Sequence, residues 1–311
     1  MSMTSRHLSL IIAMILVGIE TGCAAPPAPP APPTPDTHSR DFTPAGGFTP
    51  EVEGPAVDAD GKVYAVSFAR KPTIGVVTPE GKAELFIDMP KGSTGNGIRF
   101  NRAGDMFIAD YTGHNVLKVN MKTKAVAVFA HNPEMNQPND LAIMDNDILF
   151  ASDPNWGNST GQLWRIDTDG STHLLETGMG TTNGIEVSPD NKTLYVSESN
   201  QRNVWAYDLS AKGEISNKRL LLKLPDFGSD GARCDAKGNL YLTRYGKGTV
   251  AIISPKGEIL REVQLKGKNP SNICFGGPDG KTCYVTMADR GNLEMFVTDV
   301  PGRSFVMRAR K

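Results

Sequence analysis

Six residues with a side-chain oxygen recur along this chain at nearly constant intervals. They are Glu53, Asn96, Asn139, Asn183, Asp230 and Asn272, spaced 43, 43, 44, 47 and 42 residues apart. Taken singly, each reads as turn punctuation, because Asn, Asp and Gly tolerate positive φ. Taken together, they read as one set in equal phase. Two of the six are carboxylates, and two carboxylates in a narrow channel repel unless something neutralises them. Oxygen-only donors with two negative charges suit a hard divalent cation, and calcium accepts such irregular sets best. Magnesium, manganese and zinc remain alternatives, although zinc prefers His or Cys.

The elements that must carry these residues repeat with them. The stretches are EGPAVDADGKVYAVS from Glu53, NGIRFNRAGDMFIAD from Asn96, NDLAIMDNDILFASD from Asn139, NGIEVSPDNKTLYVSES from Asn183, DGARCDAKGNLYLTR from Asp230 and NICFGGPDGKTCYVT from Asn272. Each opens on a polar residue, runs as a short alternating strand, turns on Asp, Gly, Asn or Pro, and returns as a second strand. Segments such as NVLKVNMKTKAVAVFA, residues 115–130, supply two more strands. No helical periodicity fills a window of useful length. Four short strands per unit of about 40–45 residues is the signature of a propeller blade. The fold class is therefore all-β: a six-bladed β-propeller over residues 46–311 with a central metal site. The outer strand of the last blade is expected from RDFTPAGG, residues 40–47, which closes the circle and leaves no long sheet edge. First strands line the channel, so the six residues should share one mouth. Gly follows four of them, which suits close backbone approach.

The totals agree with a globular domain rich in turns. The chain has 311 residues, a net charge of −1 and 32 Gly, and this balance offers no electrostatic footprint for nucleic acid. Ahead of the blades, Arg6 and His7 precede the apolar run LSLIIAMILVGI, residues 8–19, which fits a signal-peptide core over residues 1–22. ETGCAA follows and resembles a lipoprotein site with a lipid anchor on Cys23. Glu20 stands where that motif has Leu, which leaves ordinary cleavage open. Residues 23–45 are Pro-rich, with APPAPPAPPTPDT as a semi-rigid spacer. The mature chain is expected to be exported, periplasmic or membrane-anchored, and monomeric. Cys234, Cys274 and Cys283 remain. Buried free thiols are the simpler reading; a pair across the hairpin GGPDGK is the alternative.

The motifs EGP at 53–55, PND at 138–140, NG at 183–184 and DG at 230–231, with FGGPDGKTCYVT in the last blade, resemble those of the senescence marker protein/gluconolactonase (regucalcin-like) family. The resemblance covers residues 46 to about 300. It implies one divalent metal, usually calcium, on the axis, with Glu53, Asn183 and Asp230 as ligands and Asn139 beside them as a ligand or substrate contact. It also implies hydrolysis of lactones; some relatives cleave phosphotriesters. Arg233 departs from the fluorophosphatase branch, which has an acid there for a second calcium. His114 and His131 lie in no matching motif and read as loop or blade-edge residues.

A lactone hydrolase needs an electrophile on the carbonyl oxygen and an activated water or attacking carboxylate. The metal supplies the first, and Asp230 is the expected base or nucleophile. Second strands return to the same mouth, so Asp153, Glu198 and Arg244 are expected to grip substrate, with Asn96 and Asn272 of the axial set. The rival readings are phosphotriester hydrolysis at the same metal and a non-enzymatic binding propeller. Fold alone does not choose among them.

Overall fold

The computed structural model describes residues 34–309. Twenty-four strands form six four-stranded antiparallel sheets, and a short helix, Arg303–Ala309, ends the described chain. The innermost strands are Ala56–Val57, Gly95–Phe100, Leu141–Ile143, Thr182–Val187, Ala232–Cys234 and Pro270–Gly276. Blades one to five each run outward in chain order, as expected for a propeller. The sixth takes its outer strand from Arg40–Asp41, with Arg40 opposite Met295 and Asp41 opposite Glu294. The closure anticipated at residues 40–47 is therefore present. Ordered contacts also begin earlier than the boundary expected at residue 46: Asp36 N donates to Val297 O, and His38 bridges Gln264.

Strand burial follows from blade packing. Second strands such as Met106–Asp110 and Leu240–Arg244 are buried at every residue, because both faces meet a neighbouring blade. Outer strands such as Ala83–Asp88 keep exposed positions. The core is thus six apolar wedges between blades. One wedge joins Tyr64 and Ile74 of the first blade to Ile98, Met106 and Leu117 of the second.

The hairpin after each inner strand explains the recurring DG and DN signal. One turn position is in phase at Gly61, Gly104, Asp147, Asn191, Gly238 and Gly280, and all six residues have φ between 57° and 87°. Gly, Asn and Asp are the residues that adopt this left-handed conformation most readily.

The cysteines are free and buried, and Cys283 lies opposite Phe275 rather than Cys274. His114 Nδ1 hydrogen-bonds Met135 O at 2.6 Å, and His131 Nδ1 hydrogen-bonds Asn115 Oδ1 at 2.8 Å. The expected signal segment and Cys23 lie outside the described residues.

Candidate functional site

The six axial residues are held by contacts from blade to blade. Gly97 N donates to Asn139 O at 2.8 Å, Gly184 N to Asp230 O at 3.1 Å, and Gly231 N to Ser271 O at 2.8 Å. Ser271 Oγ continues the circuit to Val52 O at 2.6 Å. The glycines are required by this approach. A Cβ on Gly184 would lie 2.4 Å from Asp230 O, and one on Gly231 would lie 2.0 Å from Asn272 Cγ.

At this mouth a cavity of about 400 Å³ is walled by Glu53, Asn96, Asn139, Asn183 and Asp230, with aromatic residues above. Asn183 Nδ2 donates to Ser199 Oγ at 3.0 Å, and Ser199 Oγ donates to Ser229 O at 2.7 Å. That chain fixes the Asn183 amide and leaves its Oδ1 buried without a donor. Asn139 Oδ1 is likewise buried without a donor. Buried acceptors are rarely left so. Glu53 is 9% exposed and accepts Gly54 N at 2.8 Å. Burial pushes its carboxyl up to about 7, against the Gly54 N–H and with the Asp140 charge adding to the rise. Burial and the neighbouring Glu53 carboxylate push Asp230 well above the usual range. Two orphaned amide oxygens beside two destabilised carboxylates fit a hard cation, which would satisfy the first pair and neutralise the second. Among the described residues no group of three or more His, Cys, Asp or Glu is gathered for a metal, so any such site draws on the amides.

The other two axial residues differ. Asn96 lines the cavity, but its Nδ2 is engaged by Asn139 O at 2.9 Å. Asn272 is 1% exposed and its Oδ1 accepts Ile273 N at 2.8 Å, so it offers no oxygen to the axis. Its Nδ2 is buried without a hydrogen-bond partner.

The structure does not bring Asp153, Glu198 and Arg244 to the cavity, contrary to the expectation for substrate contacts. Each grips the loop entering its own blade. Asp153, fully buried, accepts from Asn136 N, Gln137 N, Gln162 Nε2 and Trp164 Nε1 at 2.6–2.9 Å. Glu198 accepts Gly180 N and Asn203 Nδ2, both at 2.8 Å. Asp110 and Asp289 do the same to Thr94 N and Lys268 N. Arg244 occupies the equivalent place with opposite polarity, donating to Asp226 O at 2.6 Å and Gly228 O at 3.4 Å. Asp153→Asn should therefore cost about 2–3 kcal/mol of stability, since a charged acceptor is lost to four donors. Denaturant unfolding measures this. A changed preference among substrates at unchanged stability would restore Asp153 to the binding surface.

Residues to which the sequence assigned no substrate contact complete the site. Tyr111, Trp156 and Tyr245 wall its upper part. Below, Asp140 binds Arg233 Nη1 at 2.8 Å and Arg99 Nη1 at 3.2 Å, with all three side chains at most 8% exposed. Burial alone would raise the Asp140 carboxyl, but Arg233 and Arg99 outweigh it and hold it below its ordinary value. Beyond them, Glu186 lies 3.8 Å from both Arg99 and Arg303. The position that raised doubt about a second metal, Arg233, is thus a buried cation in the channel.

The family pattern described as the SMP-30/Gluconolactonase/LRE-like region matches residues 38–289. A gluconolactonase of Zymomonas mobilis is 30% identical over 238 residues, 67% of this chain and 65% of that protein. A regucalcin of Xenopus laevis is 41% identical over 135 residues, 42% of this chain and 45% of the relative. The matched stretches thus span about two-thirds or less of these relatives' lengths. Among solved structures, a gluconolactonase of Xanthomonas campestris superposes with a TM-score of 0.72 at 20% identity, covering 90% of this chain and all of that one. A regucalcin of Agrobacterium tumefaciens gives 0.72 at 18% identity, covering 84% and 96% of the two chains. These structural likenesses speak for the propeller, and the sequence match over residues 38–289 carries the assignment: the chain belongs to the SMP-30/gluconolactonase/LRE-like family.

Proposed function

We propose that the protein is a lactone hydrolase that depends on a divalent cation, with calcium preferred. The observation that carries this is the pair of donorless oxygens, Asn139 Oδ1 and Asn183 Oδ1, on the cavity that also holds Glu53 and Asp230. The names of the matched relatives favour a lactone, and gluconolactonase and pentonolactonase are both among them. Glu53, Asn139, Asn183 and Asp230 would hold the cation. When bound, it supplies Lewis-acid polarisation of a carbonyl oxygen. Asp230 takes the proton of the attacking water, or adds directly to the carbonyl carbon. In the first case the ring oxygen leaves with that proton, giving the open hydroxy acid; in the second it leaves with a proton from a water, and the hydroxide so formed cleaves the acyl anhydride on Asp230, releasing the acid and restoring the carboxylate. Glu53, fixed by Gly54, balances charge. The two Asn side chains orient without adding charge. We also keep export of the chain as part of this reading, on the apolar run at residues 8–19 and the ETGCAA that follows.

The test is a lactone panel followed by acid release, with calcium and with chelator. Hydrolysis should vanish on chelation and return with calcium. The cation should also raise the unfolding free energy, by about 2.7 kcal/mol at a hundred times its Kd. Turnover indifferent to the chelator sinks the metal. Cleavage of phosphotriesters but not lactones transfers the reading to that class, and a silent panel leaves a binding propeller.

A further inference from the structure

The cavity over the axial residues continues into a second lobe of about 580 Å³, bounded by Ser199, Arg202, Phe227 and Ser229. The two lobes share Trp156, Asn183, Asp230 and Tyr245. The first lobe, about 400 Å³, already lies within the roughly 300–1,000 Å³ range of small-ligand sites. The second is surplus to a single small ring.

Its construction points to a ligand. Phe227 is 52% exposed and sits at a φ of 41°, a strained conformation for a bulky residue. The fully buried Arg244 maintains it by donating to the carbonyls on both sides, Asp226 O at 2.6 Å and Gly228 O at 3.4 Å. At this position blades two, three and four carry an acid, Asp110, Asp153 and Glu198, that grips N–H groups. The reversal in blade five is what clamps the two carbonyls flanking an outward aromatic ring. Tyr245, 41% exposed, follows Arg244 directly. Beneath them Ser229, 1% exposed, lines the lobe with a hydroxyl that has no partner.

We propose that this lobe is a subsite for a glycosyl group, so that the preferred substrates are lactones of disaccharide acids. The proposal rests on the hydrolase reading for the first lobe. A sugar ring offers a flat C–H face to Phe227, Tyr245 and Trp156, and hydroxyls to Ser199, Arg202 and Ser229. An alkyl arm would leave the Ser229 hydroxyl buried without a partner.

The experiment compares lactobionolactone with gluconolactone as substrates in calcium, and lactobionate with gluconate as ligands by calorimetry. Wild type should favour the glycosylated member of each pair by about tenfold. Phe227→Ala should bring both ratios close to one, and Phe227→Tyr should keep them. Equal handling of both members by wild type overturns the subsite, as does a preference that survives in Phe227→Ala. If neither lactone is cleaved, the hydrolase reading falls, and the calorimetric ratio still decides the subsite.

Discussion

Asp230→Asn should lower lactone turnover by ~100-fold or more, the usual scale for loss of a general base, while the cation still binds. Asn keeps the size of Asp and one oxygen, and Asn139 and Asn183 already present amide oxygens to the same cavity. What disappears is the group that can take a proton or attack carbon. The donor set also falls from two negative charges to one, so the calcium affinity should weaken. The deficit should therefore be measured as kcat at saturating calcium, with binding followed separately by calorimetry. Asn183→Ala provides the contrast. It removes a neutral donor, and raising calcium should recover much of its loss. A wild-type kcat in Asp230→Asn with metal bound would reduce Asp230 to a ligand.

A chain beginning at Glu51 should lose cooperative folding, while one beginning at Thr34 should keep it. The shorter chain lacks the strand that pairs with Asn292–Val297, and so leaves that edge bare. It loses Asp41, which bonds Arg290 Nη1 at 2.6 Å and also pairs with Lys266. It loses Phe42, whose ring centroid lies 4.5 Å from that of Tyr284, and Phe48, 4% exposed in the wedge between the last and first blades. Truncating one buried Phe to Ala costs about 3–5 kcal/mol. Losing Phe48, the partly buried Phe42 and the strand ladder together removes a large share of a typical 5–15 kcal/mol margin. Thermal unfolding followed by circular dichroism checks it. Equal transitions in the two chains would show that the closure carries no stability.

The propeller and its axial set were legible because both are periodic. A repeat near 44 residues fixes blade number, and equal phase fixes height. The roles of Asp153, Glu198 and Arg244 were not legible. A polar residue at the end of a second strand can face the mouth or turn to the loop of its own blade, and its type is the same in both cases. Asp140 escaped notice because its partners come from other blades, Arg99 being 41 and Arg233 93 residues away. The helix Arg303–Ala309 spans two turns, too short to show a period.

The buried charges beneath the axial residues have a kinetic consequence. Arg99, Asp140 and Arg233 block the channel, and the space beyond, beside Glu186 and Met307, is only about 40 Å³. The reaction chamber is a cul-de-sac. On the proposed lactone-hydrolase reading, reactant and product would share one doorway, and the hydroxy acid would leave by the mouth through which the lactone entered. Product rebinding there would occupy the space the lactone needs, so added hydroxy acid should raise the apparent KM and leave kcat unchanged.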